Sequence, residues 1–228
     1  MKILVISDLH WLDVWKKHIE DNPYADKIVF LWDYVDSFNV SDEDMIRNLK
    51  EIIAFKRENK DKVVLLLWNH DVQYFWHWCR CSWYRPRIAN ELEDIFIDAH
   101  NDRLFKMFYS EWDYLFSHAG ITNEWIKYNF DKIELYFIDW YYEYTNLNNI
   151  LFTTDEHIFT QCWPERGGRD RVSWPLWANK SDTTNNGVLD WFTQVVGHTQ
   201  ISGIIKLPHI IYCDTLVSWS WQPLLLTT

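Results

Sequence analysis

Residues 27–38, KIVFLWDYVDSF, hold the transition on which the fold turns. An apolar run, KIVFLW, stops abruptly at two carboxylates, Asp33 and Asp36. A buried strand that delivers acids to a site at its C-terminal end has this form. The pattern recurs along the chain. KILVIS (2–7) precedes Asp8 and His10, and KVVLLLW (62–68) precedes Asn69, His70 and Asp71. YLFSHA (114–119) carries His118, and QVVGH (194–198) ends on His198. Each run is short and rich in β-branched or aromatic residues, which suits a buried strand. Near the C-terminus, HIIYCDTL (209–216) and WQPLLLTT (221–228) read as a further strand pair.

Helical patterns lie between these runs. Ser41 is an N-cap followed by acids, and Ile46, Leu49 and Ile53 fall on one face of the helix it opens. A second helix is expected over NELEDIFIDAHNDRLF (90–105) and a third over roughly 131–147. Strand and helix alternating from the N-terminus imply an α/β fold with a largely parallel sheet. No repeat, low-complexity run or linker divides the chain, so one domain over 1–228 is the expectation.

Composition narrows the function. A net charge of -11 excludes broad nucleic-acid or anionic-membrane binding, which needs a basic face. No apolar run reaches the roughly 18 to 20 residues of a membrane helix, and MKILVISDLH lacks the sections of a signal peptide. The expectation is a soluble, cytoplasmic protein. Four cysteines are too few for a disulfide scaffold. Cys79 and Cys81 lack a second close pair and read as free thiols rather than zinc ligands.

The strand ends are suited to metal. Asp8 and His10 are two residues apart, so on a strand they share a face. Carboxylates, imidazoles and one amide oxygen suit Mn²⁺, Fe or Zn²⁺. A lone D-x-H or N-H-D is usually a cap or a surface pair. Five such features in order, each at a strand end, are not explained structurally.

The ordered set D-x-H, D-x-x-D, N-H-D, H-A-G and G-H-T, from Asp8 to His198, resembles the calcineurin-like metallophosphoesterases. FSHAG (116–120) and PLWANK (175–180) are similar to segments of the branch holding the serine/threonine phosphoprotein phosphatases and the diadenosine tetraphosphatases. The resemblance implies two facing mixed β-sheets flanked by helices and a centre of two divalent ions, Mn²⁺ foremost, with Fe or Zn²⁺ as alternatives. Asp8, His10 and Asp33 would hold the first ion. Asp33 would bridge to the second, completed by Asn69, His118 and His198. A bridging hydroxide would attack phosphorus, and His70, oriented by Asp36, would protonate the leaving group. The substrate implied is a phosphoprotein, a nucleotide or a dinucleoside polyphosphate, with loops 72–112 and 139–190 setting the choice. The alternatives are a dinucleoside polyphosphate hydrolase and a catalytically impaired pseudoenzyme.

Two departures stand out. Ser37 occupies the place of a phosphate-binding arginine of the phosphoprotein phosphatases; Arg85, Arg166 and Arg169 are the candidate replacements. The second departure is tryptophan at family glycine positions, Trp11, Trp32 and Trp68, with Trp83 and Trp174 as further cases. Average usage would give roughly 16 glycines; the chain has 6, and 16 tryptophans. A side chain forced to positive φ costs roughly 1–2 kcal/mol, and overpacking about 1–3. Three accounts remain open: an adapted pseudoenzyme, a mutated chain, or a changed letter. We favour the last. Some bacterial codes read UGA as glycine and others as tryptophan. Translating a gene of the first kind with the second table explains both counts and spares glycines with ordinary codons, such as Gly120, Gly167, Gly168 and Gly197.

Overall fold

The computed structural model describes residues 1–7, 13–31, 34–35, 40–76, 80, 83–134, 148, 156–159, 172, 174–215 and 222–228. The chain forms two compact units, residues 1–106 with 219–228, and residues 107–218. Each contains one five-stranded mixed sheet.

In the first unit the sheet order is β10-β1-β2-β3-β4. Its strands are β1 (Lys2–Ile6), β2 (Lys27–Phe30), β3 (Val63–Leu66), β4 (Phe105–Lys106) and β10 (Leu224–Thr227). β1 to β4 are parallel, with Ile6 opposite Phe30 and Phe30 opposite Leu65. β10 is antiparallel to β1, and Lys2 faces Thr227. The four residues of β3 are all buried, as expected of a parallel strand covered on both faces.

Three helices of the first unit follow from local signals. α1 (Val14–Asp21) buries Trp15, whose indole N–H donates to Asn48 Oδ1 at 2.9 Å. α2 (Asp42–Glu58) begins at Ser41, whose hydroxyl accepts the Asp44 N–H at 3.1 Å. Its first turn holds Asp42, Glu43 and Asp44 and its last Lys56 and Arg57, matching the helix dipole. Met45, Ile46, Leu49, Ile52 and Ile53 form its buried face. α4 (Ala89–Asn101), which follows the one-turn helix α3 (Asn69–Val72), buries Leu92, Phe96 and Ala99.

The helix expected over 90–105 ends at Asn101. Arg103 takes φ 54°, its N–H bonds the His100 carbonyl at 2.8 Å, and the Leu104 N–H bonds the Ala99 carbonyl at 3.0 Å. This is a Schellman stop with arginine at the position glycine usually fills. Phe105 then pairs with Leu65 as β4.

The second unit has the order β5-β6-β7-β9-β8. Its strands are β5 (Phe108–Glu111), β6 (Tyr114–Ser117), β7 (Thr193–Val196), β8 (Ile205–Leu207) and β9 (Ile210–Tyr212). β6, β7 and β9 are parallel; β5 and β8 are antiparallel edges. α5 (Asn123–Ile133) is capped by Thr122, whose hydroxyl accepts the Trp125 N–H at 3.1 Å. A 3₁₀ turn (Glu156–Phe159) and α6 (Lys180–Asn185) complete the described elements. Of the third helix expected over 131–147, residues 135–147 lie outside the described residues, and residues 131–133 close α5.

The C-terminal strands are not a pair. β9 joins β7 and β8, whereas β10 joins β1, because each run meets the unsatisfied edge of a different sheet.

Candidate active site

β1, β2 and β3 are parallel, so the chain leaves all three at the same end of the first sheet. Asp8, His10, Asp33 and Asp36, with Trp11 and Trp32, lie outside the described residues. Arg166, Arg169, Cys79 and Cys81 do as well.

The segment after β3 is described in full. Leu67 still bonds the Lys106 carbonyl at 2.8 Å; Trp68 then caps the one-turn helix α3, which carries Asn69, His70 and Asp71. All three are buried: Asn69 is 1% exposed, His70 9% and Asp71 0%. One Asp71 oxygen accepts the Trp68 N–H at 3.1 Å. The other accepts the N–H of Tyr34, 37 residues earlier, at 3.2 Å. Burial, and then the charge of Asp71, hold the Tyr34 phenol well above its ordinary range. The His70 ring lies against that of Trp83, with centroids 5.4 Å apart and planes inclined by 32°.

In the second unit, β6 and β7 are parallel and release His118 and His198 at one end of their sheet. The Gly197 N–H bonds the His118 carbonyl at 2.8 Å, which carries the pairing one step past the strands. His118 Nε2 and His198 Nδ1 are 2.9 Å apart, with the rings at 81°. One nitrogen donates to the other, or both face a single cation. Imidazole nitrogens are common ligands of divalent metals. The donor set therefore fits a divalent metal. Among the described residues, no group of three or more His, Cys, Asp and Glu side chains gathers.

His198 sits at φ 60°, an uncommon conformation for a bulky side chain and one that clusters at functional sites. Surrounding bonds hold it there. Thr199 N–H reaches the Gly197 carbonyl at 2.6 Å, and the Thr199 hydroxyl accepts the Lys180 N–H at 3.0 Å. On the other side, Ala119 N–H bonds the Pro175 carbonyl at 2.7 Å. Gly120 follows at φ 104°, where a Cβ would come 3.2 Å from Thr183 Cγ2 and 3.4 Å from Val196 Cγ1. Glycine is required there.

The described tryptophans divide. Trp68, at φ -121° and ψ 162°, is extended, so the positive-φ cost expected at family glycine positions does not apply to it; it is 2% exposed. Trp83 does carry that cost, at φ 71°. Trp112, which the sequence did not single out, stands at φ 55°. Glu111 pairs with Tyr114, so Trp112 is the first residue of a two-residue hairpin turn. Asp113 has negative φ, and a hairpin turn of that hand takes glycine first. Trp174 is fully buried, and its indole N–H has no hydrogen-bond partner among the described residues. The Trp177 indole N–H, on a half-buried ring, also has no hydrogen-bond partner among the described residues.

Arg85 does not stand as a free phosphate ligand. Its guanidinium is ion-paired with Asp42 and donates to the Val40 carbonyl at 3.3 Å, so it ties the start of α2. Its role as a phosphate contact, expected from sequence, would require breaking that tie.

Two mixed sheets with flanking helices define an α/β fold in which histidines leave parallel strand ends. A profile of the calcineurin-like phosphoesterases matches residues 1–202, and the chain belongs to that family of phosphoester hydrolases. Among solved structures, the chain is similar to a cold-active protein tyrosine phosphatase, at 20% identity and a TM-score of 0.53, covering 99% of this chain and 73% of that one. That likeness bears on the fold. It is also similar to a protein serine/threonine phosphatase from Saccharomyces cerevisiae, at 14% identity and a TM-score of 0.49, covering 93% of this chain and 66% of that one. No curated protein matches. Among the described residues, no helix is long and apolar enough to cross a membrane.

Proposed function

We propose that the two units form one metallophosphoesterase domain that hydrolyses phosphoester bonds at a centre of two divalent ions. Asp8, His10 and Asp33 would hold one ion; Asp33, Asn69, His118 and His198 would hold the other. When bound, the ions activate water and offset charge on the phosphoryl oxygens. His70 donates a proton to the departing oxygen, and Asp36 orients its ring. A histidine suits that task because its pKa lies near neutral pH. Arg166 and Arg169, flanking Gly167 and Gly168, grip the phosphate. Mn²⁺ is the proposed metal, a phosphorylated protein or nucleotide the substrate, and the cytoplasm the location.

The observation that carries this reading is the 2.9 Å spacing of His118 Nε2 and His198 Nδ1. The experiment is Mn²⁺-dependent turnover on phosphopeptides, nucleotides and dinucleoside polyphosphates, with two variants. His118→Ala is expected to reduce Mn²⁺ affinity 100-fold or more. His70→Ala is expected to lower turnover 10²- to 10⁴-fold with the metals retained. Equal metal loss in both variants would contradict the division of roles. Hydrolysis confined to dinucleoside polyphosphates would select the narrower hydrolase.

A second reading, an impaired enzyme, is favoured by one contact. The Trp83 ring lies against His70, the proposed acid. Metal uptake without turnover, in a chain that gains turnover on Trp83→Gly, would support it.

A further inference from the structure

Asp71 lies beside the proposed acid and ligand but takes neither role in the mechanism. It is fully buried, a costly place for a carboxyl group unless its oxygens are well bonded. Each oxygen accepts a backbone N–H from a different segment. Trp68 N–H precedes Asn69 directly, and Tyr34 N–H follows Asp33 directly.

The need for such a bond is visible in the sheet. The β2–β3 ladder ends at Phe30 and Leu65. Just past it, Leu31 N–H turns to the Ile6 carbonyl and Leu67 N–H to the Lys106 carbonyl. Beyond that point no backbone–backbone bond joins the two exits among the described residues, and both Tyr34 and Trp68 are buried. Their N–H groups must be satisfied, and a buried amide without a partner costs about 1–3 kcal/mol. The Asp71 carboxylate satisfies both, and charge-assisted bonds of this kind are stronger than neutral ones. An acid at the third position of a one-turn helix ordinarily reaches back to its own cap. Here the second oxygen reaches across to another strand exit.

We infer that Asp71 is a positioning residue that clasps the backbone after β2 to the backbone before Asn69, and so sets the spacing of the proposed metal ligands Asp33 and Asn69. The inference rests on the two-metal reading above. It adds that a residue touching neither metal nor substrate governs metal affinity. Partners of this rank typically contribute 10- to 100-fold in affinity or activity.

The test uses Asp71→Asn, which keeps the size but supplies one acceptor oxygen in place of two. Hydrogen exchange on the metal-free chain reads the clasp itself. Protection of the Tyr34 or Trp68 amide, or both, is expected to fall tenfold or more, while the amides of β2 and β3 keep theirs. Mn²⁺ titration reads the consequence, an affinity 10- to 100-fold weaker. Saturating Mn²⁺ should then recover turnover at unchanged KM and with an unchanged pH profile, since Asp71 moves no proton. Unchanged exchange at both amides overturns the clasp. Lost protection with unchanged Mn²⁺ affinity overturns the positioning role. If the Asn variant fails to fold, Asp71→Glu, which keeps two acceptors, is measured in the same way, and wild-type affinity in it would overturn the dependence on spacing. A wild-type chain that takes up no Mn²⁺, with Asp33→Ala indistinguishable from it, overturns the two-metal reading and this inference with it. Uptake lost in Asp33→Ala but not in Asp71→Asn overturns this inference alone.

Discussion

The turn after β3 and the turn between β5 and β6 both carry a tryptophan, and they accommodate it in opposite ways. Trp68 is extended and buried, 2% exposed, next to a proposed ligand. Trp112 is left-handed and 70% exposed, on a hairpin. What constrains 68 is enclosure beside a proposed ligand. The burden at 112 is backbone conformation, with no neighbour involved. A tryptophan at a turn therefore meets two separate constraints, enclosure and backbone conformation, and a single letter does not say which.

The measurement with the largest expected effect calibrates what a true glycine requirement costs. Gly120→Ala should destabilise the chain by about 2 kcal/mol or more, because φ is 104° and Thr183 Cγ2 stands 3.2 Å from the new Cβ. A neutral result in denaturant unfolding would remove the standard against which the tryptophans are compared.

Next in size is the site burden. Trp68→Gly combined with Trp11→Gly and Trp32→Gly should tighten Mn²⁺ binding about tenfold, close to 1.4 kcal/mol. Trp112→Gly should leave that affinity unchanged and instead raise stability by about 1 kcal/mol. If the two variants exchange outcomes, volume and backbone have been assigned to the wrong turns. The gene supplies an independent reading: codons 11, 32, 68 and 112 are expected to be UGA, and UGG at all four would end the changed-letter account.

The smallest effect is Arg85→Ala. Its ion pair with Asp42 is partly buried, and the loss should be up to about 1 kcal/mol of stability with KM unchanged. A several-fold rise in KM would return Arg85 to the phosphate.

Much of this architecture was legible in the chain. The apolar runs that end on Asn69, His118 and His198 give themselves away, because a parallel strand is buried on both faces and its polar residues collect at the exit. The α2 cap was legible for a similar reason: Ser41 and three following acids answer unpaired amides that every helix start exposes. Information carried by dihedral angles was not. Arg103 ends α4 four residues before the expected limit by turning left-handed, and nothing in its side chain announces that. Trp112 hides a hairpin turn for the same reason. The Asp71 clasp was hidden differently, since its second partner, a backbone amide 37 residues away, has no letter of its own. The pairing of β10 with β1 was likewise invisible, because an apolar run does not name the edge it will join.

That last pairing sets a schedule for synthesis. Lys2 to Val5 pair with residues 224–227, so this edge of β1 waits for β10. At about 5–20 residues per second, roughly 10 to 45 s separate the two on a ribosome. Throughout that interval one side of β1 is an apolar strand edge of the sort that recruits other chains. The parallel strands on its other side can assemble meanwhile, but that edge of β1 is covered only when β10 is made.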